Sequence, residues 1–253
     1  MKLKKYILTI LSFLCTLTIF AERKLAIISD PDGFTNVRSG QGIEFSVIDT
    51  IKKDEFFYCD LTEKGEWIKI LPMKSKQIEG YIHRSGIQLV ENFDYKKQKE
   101  LIAQILNRQK ILADNFQTIC GHGYNMDHIT AREELELYND IKYSPILDIL
   151  QKYFCSTNDT EILQLFFSTM WADSGSANEL PSFAIGKCFV CKTNIIIAQL
   201  KKIQNVEQKE LIFDRIEWGL LNYFSVDENE KSNNKEFNKL KKRLETERKN
   251  ASR

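Results

Sequence analysis

The sequence predicts a β + α protein of two domains, a small β-barrel or sandwich followed by an all-helical domain. Three observations carry this. Short β-rich runs, one of which partly alternates at the strand period of two, extend to about Val90, and apolar residues recur at helical spacing after Phe93. Turn residues punctuate the first part at regular intervals. With 43% hydrophobic and 28% charged residues over 253 positions, the chain can build a core. The same mixture excludes a wholly disordered, collagen-like or polytopic membrane protein.

Residues 1–21 stand apart. Lys2, Lys4 and Lys5 precede an uncharged apolar or hydroxylic stretch, Tyr6 to Phe20, and Ala21 leads into Glu22-Arg23-Lys24. A basic start, an apolar centre and a small residue at the cut predict a secretory signal peptide. An uncleaved anchor would want a longer apolar run, and Leu14 before Cys15 does not suit a lipidation site. Taking the three lysines from the 36 basic residues leaves 33 against 35 acidic ones. A slightly acidic exported chain is not expected to bind nucleic acid, whose phosphates need a concentrated basic face.

In the first domain, residues 22–91, Leu25-Ala26-Ile27-Ile28 reads as a strand and Asp30-Pro31-Asp32-Gly33 as a turn. Further strands are expected over Phe45 to Ile51, Phe56 to Cys59, Trp67 to Leu71 and Gly80 to His83.

The helical domain, residues 92–226, opens with Leu101, Ile102, Ile105, Leu106, Ile111 and Leu112 on one helical face. Thr130-Ala131-Arg132-Glu133 has the form of a capping box, and Ser144-Pro145 that of an N-cap followed by proline at the first helical position. Asn158-Asp159-Thr160-Glu161 opens another helix. Phe183 to Ile203 is the most apolar stretch after the leader, but Lys187 and Lys192 interrupt it, so it is expected to be a core helix. Val206 to Phe224 supplies an amphipathic helix. The helices could also stack as a short solenoid. Residues 227–253 form a charged, weakly docked helix or tail with Phe237, Leu240 and Leu244 as its apolar seam.

Four segments of the strand half carry a family resemblance. They are Asn36-Val37-Arg38-Ser39-Gly40-Gln41-Gly42, Val47 to Asp54, Gly65 to Ile70, and Gly80-Tyr81-Ile82-His83. In order and spacing they resemble the motifs of bacterial SH3-like (SH3b) domains. Gln41 replaces a usual proline, Asp54 stands where glycine is common, and residues 72–77 lengthen one hairpin loop. Gly40 and Gly42 read as turn glycines with unusual backbone angles, and Trp67 as the centre of the barrel. The resemblance implies binding of a cell-wall peptide or a protein partner, and no catalysis. Phe34, Arg38, Phe45, Tyr58 and Tyr81 are the candidate ligand-binding residues. The helical half is loosely similar to C-terminal regions of exported SH3-domain proteins from Bacteroidetes-like bacteria, a likeness that implies no activity.

Other chemistry is weighed from the residues. Cys120-Gly121-His122-Gly123 invites comparison with cysteine peptidases, but a cysteine at a helix C-terminus lacks the dipole that favours a thiolate. Its glycines read as a helix stop. Cys188 and Cys191 have a metal spacing without a matching second pair, and Glu133, Glu134 and Glu136 suit a helix start. Asp173 to Glu179 reads as a turn and cap, with a recognition loop as the alternative. Cys59, Cys120, Cys155, Cys188 and Cys191 read mainly as small buried hydrophobes. One pair, such as Cys120 with Cys155, could be bridged, and the sequence leaves the pairing open. No catalytic residue, metal or cofactor is assigned.

The expectation is an exported, non-catalytic binding protein of the periplasm or cell envelope, engaging a cell-wall peptide or an envelope protein, with no membrane span after cleavage. An immunity or inhibitor protein acting on an envelope toxin or hydrolase is the alternative, and a cell-wall cysteine peptidase a third reading.

Overall fold

The computed structural model describes residues 23–62, 64–71, 77–120, 126–170, 179–227 and 232–251, the side chain of Cys120 excepted. The expected leader lies outside these residues, as do the lengthened loop over 72–76 and the Gly121-His122-Gly123 segment. So do residues 173–178 of the polar loop.

Among the described residues, seven strands form one antiparallel sheet: β1 (Arg23–Ile28), β2 (Phe34–Arg38), β3 (Val47–Lys52), β4 (Phe57–Asp60), β5 (Trp67–Leu71), β6 (Gly80–His83) and β7 (Ile87–Leu89). Their order is β3-β2-β6-β5-β4-β1-β7, with β3 and β7 at the edges. The first turn forms where Asp-Pro-Asp-Gly predicts it. Gly33 takes a positive φ of 79°, and its N–H donates to Asp30 O at 3.1 Å.

Alternation decides which side chains fill the interior. Val37, Cys59, Ile68 and Ile82 are fully buried, with Ile70 nearly so. Trp67 therefore falls on the opposite face from Ile68 and Ile70. It is half-buried, edge-on to the His83 ring at 5.4 Å, and does not fill the centre as expected. The turn glycines are also corrected. Neither Gly40 nor Gly42 has a positive φ. Space is what is short at Gly40, where an added Cβ would run into the Phe45 ring. Asp54, at the position where glycine is common, does take the left-handed φ of 68°.

Helices come after the sheet: α1 (Tyr95–Cys120), α2 (Met126–Tyr138), a π-helical turn (Asn139–Tyr143), α3 (Ser144–Thr157), α4 (Thr160–Thr169), α5 (Glu179–Leu200), α6 (Val206–Tyr223) and α7 (Lys235–Ala251). The junction is fastened. The Gln98 amide donates to Glu91 O at 3.1 Å and Phe93 O at 2.8 Å, and Lys24 pairs with Glu91 at 2.9 Å. One continuous hydrophobic core runs from Leu25 and Val37 in the sheet to Phe213 and Leu244 in the helices.

Two expected helix starts are displaced. The chain from Met126 to Thr157 is a single helical path, so Thr130 sits inside α2. Its hydroxyl donates back to Met126 O at 3.1 Å instead of capping. Ser144 likewise caps nothing, because the path enters α3 from the π-turn, where the Ser144 N–H donates to Asn139 O. Pro145 explains the turn. Its ring would clash with the carbonyl four residues back and it lacks an N–H, and one extra residue in the turn absorbs both defects. The Asp159 cap does form, accepting from the N–H groups of Glu161 and Ile162 at 3.0 and 3.2 Å.

Helix α5 is long and apolar enough to cross a membrane, yet half of that stretch is buried in the fold. It packs against α3, α4, α6 and α7, a convergence that differs from the neighbour-to-neighbour stacking of a solenoid. Gly186 of α5 meets Gly219 of α6 almost backbone to backbone. A disulfide joins Cys155 of α3 to Cys191 of α5, beside a break in helical geometry at Lys192 (φ −142°, ψ 46°). Cys155 thus pairs with Cys191 and not with Cys120. The seam Phe237, Leu240 and Leu244 is buried, and Arg248 of α7 reaches Glu210 at 2.6 Å and Asp214 at 2.5 Å on α6.

Candidate binding surface

Strand β2 carries Arg38 to the point where β2 meets both β3 and β6, directly opposite Tyr81 in the register. The guanidinium is spent on the adjoining loop: Nη1 donates to Ile43 O at 2.9 Å and to Phe45 O at 2.7 Å. Ser39 N–H donates to Ser46 O at 3.0 Å and closes the loop's base. Arg38 therefore shapes a surface as a positioning residue, and the loop it holds is apolar. Ile43 is 80% exposed, and Phe45, Val47 and Ile48 are each 42–49% exposed. Ile43 and Phe45 on this loop, followed by Val47 and Ile48 at the start of β3, expose apolar area of a kind that proteins rarely leave in water without a use.

Of the five expected residues, Arg38, Phe45 and Tyr81 come together here. Phe34, at the other end of β2 opposite Lys52, lies about 13 Å along the strand from Arg38. Tyr58 is elsewhere. It sits in β4 between Leu25 and Leu71, half-buried against the core. Burial raises its phenol pKa, with Asp148 of α3 adding to the rise. Ile43, Val47 and Ile48 were not among the expected residues. Their signal is Val47-Ile48, two adjacent apolar residues where a strand with one wet face should alternate.

The other chemistry-bearing residues are engaged elsewhere. Burial pushes the Cys59 thiol up to about 12 and the Cys188 thiol still further. Neither is a thiolate near neutral pH. Cys191 is committed to Cys155 and gives no ligand pair with Cys188. Glu134 pairs with Arg108 at 2.5 Å and Glu136 with Arg132 at 2.8 Å, as surface ion pairs. The His128 ring lies against Phe116, with centroids 5.1 Å apart. Cys120 and His122, the residues of the peptidase reading, fall outside what is described. No cluster of three metal-ligating side chains occurs among the described residues.

No family model matches the chain, and neither does any curated protein or solved structure.

Proposed function

We propose that this chain is an exported, non-catalytic binding protein of the bacterial envelope, and that its SH3-like strand half engages a cell-wall peptide or an envelope protein. The observation that carries the reading is the exposed apolar side chains of Ile43 and Phe45, on a loop held by two hydrogen bonds from Arg38, next to exposed Val47 and Ile48 at the start of β3. A preformed loop loses little entropy on binding, and apolar contacts at a free sheet edge suit an extended partner. Two further points support it. The four motif segments lie in the sheet and its turns, and the Cys155–Cys191 bridge suits an oxidising compartment.

The test compares the mature protein with an Ile43→Ser/Phe45→Ser double variant. Each is sedimented with purified peptidoglycan and used to capture proteins from envelope extract. Binding by the wild type that falls at least tenfold in the double variant, at unchanged Tm, supports the proposal. Sedimentation points to the wall and one stoichiometric protein to a partner. Equal binding by both forms, or none by the wild type, refutes it.

A further inference from the structure

A cleft between the sheet and the first helices is distinct from that surface. Its apolar part is a partly open cavity of about 220 Å³ whose lining includes Val37, Ile51, Phe57, Ile70, Ile78 and Ile141. Beside it lies a more polar hollow bounded in part by Gln104, Asn107, Arg108 and Tyr138. Phe56 and Lys142 line both, so this pair stands at the boundary, with the Lys142 ammonium 4.3 Å from the centre of the Phe56 ring.

Lys142 reaches the cleft through the π-turn. One extra residue re-aims the side chains downstream of it by about 100° relative to a regular helix, and such turns recur at functional sites. The turn places a lysine at the sheet on a path whose neighbours Tyr143, Ile146 and Leu147 are buried. Its ammonium is half-buried, and no carboxylate of the described residues lies within ion-pairing distance. Burial lowers its pKa, and the acidic residues that face it, Asp54 and Glu55, partly offset this through their charge. The Glu55 carboxylate accepts from the Lys52 N–H at 3.3 Å, and Arg108 is occupied by Glu134. Lys142 thus holds a positive charge next to an apolar cavity with an aromatic ring as its direct partner.

Cavity size and charge together set the shape of the ligand. A cavity of about 150 Å³ takes a six-carbon ring, so this one takes about eight or nine carbons. A carboxylate would give the ammonium charge-assisted hydrogen bonds that the ring cannot. Asp54 and Glu55 at the same mouth disfavour a multiply charged head. We propose that this cleft binds a medium-chain monocarboxylate, its acyl chain in the apolar cavity and its carboxylate on Lys142 Nζ.

Calorimetric titration of the full mature chain with octanoate, octan-1-ol and octylammonium tests this. Octanoate should bind at one site, at least tenfold more tightly than octanol, with octylammonium weakest. Lys142→Met keeps the apolar stem and should bring octanoate down to the level of octanol. Ile78→Phe, which fills the cavity from a half-buried position, should weaken both. The wild-type comparison alone decides the role of charge should a variant fail to fold. The proposal is overturned if octanoate does not bind, if octanol or octylammonium binds as well, or if folded Lys142→Met keeps wild-type affinity for octanoate.

Discussion

Replacing Gly219 with alanine will force α5 and α6 apart. The new Cβ would stand 2.0 Å from Ser182 O and 2.8 Å from Gly186 Cα. Both neighbours are helix backbone, so no side chain can swing away, and the axes must separate by about 1 Å or more to reach ordinary contact distance. That gap would open beside Ile185, Phe189, Ile216 and Leu220, each 1% exposed or less. With about 60 atom contacts across it at about 0.15 kcal/mol each, losing a third costs about 3 kcal/mol. Alanine returns about 1 kcal/mol of helix propensity. The net loss is about 2 kcal/mol, within the usual range for overpacking. Urea unfolding followed by far-UV circular dichroism should show the midpoint falling by about 1 M at unchanged slope. Gly65→Ala, whose Cβ would meet its nearest neighbours at 3.8 Å, should stay within about 0.5 kcal/mol of wild type. A Gly219→Ala midpoint at or above wild type would refute the close crossing, because propensity alone would then have decided the outcome.

Three further outcomes are expected. The Cys155–Cys191 bridge spans 36 residues, so reductant should cost wild type about 3–4 kcal/mol in urea unfolding while leaving Cys155→Ser unaffected. Asp54→Gly should raise stability by about 0.5–1 kcal/mol, because it relieves a left-handed backbone at a larger entropy cost in the unfolded chain. At Asp159, burial opposes ionisation, but the Lys99 ammonium, the Ile162 N–H and the Tyr153 hydroxyl together hold the carboxyl below the ordinary carboxylate range. A lowered folded pKa contributes stability above the unfolded value that is lost as pH falls through the folded one. Stability measured from pH 6 to pH 2 should therefore fall less steeply in Asp159→Asn than in wild type.

Local rules were legible wherever local chemistry decides. The Asp-Pro-Asp-Gly turn, the Asp159 cap and the strand-forming runs over Trp67–Leu71 and Gly80–His83 each act within a few residues, and the structure has all of them. Strand β2 was hidden inside a segment read as a turn, because Asn36-Val37-Arg38 looks polar until pairing on both sides buries Val37. Strand β7 is three residues long and held by β1, a partner far away in the chain. Thr130 and Ser144 are good caps in isolation, and each lost that role because a helix ran through it. Trp67 was misplaced by size. The pleat assigns it to the opposite face from Ile68, whatever its volume. Of the candidate surface, Arg38 and Tyr81 were legible inside the motif segments, and Phe45 as an aromatic between two of them. The cleft was not, since Lys142, Phe56 and Ile78 share no sequence pattern.

The same pleat governs how the two proposed sites can be probed separately. Along β2, Val37 lines the cavity and the next residue, Arg38, holds the exposed loop. Along β3, Ile51 lines the cavity, while Val47 lies past the register shift, opposite Arg38, and is exposed. The surface and the cavity therefore share two strands, and truncating Val37 or Ile51 would disturb both and separate nothing. Ile43 lies on the loop between β2 and β3, Ile78 in the segment before β6, and Lys142 in the π-turn. Changes at these three positions leave the β2–β3 pairing in place. Loss of surface binding in Ile43→Ser/Phe45→Ser with octanoate affinity retained assigns the effect to the surface. Loss of both would mean that the loop and the cavity are one site, because a shared strand transmits only what changes its packing.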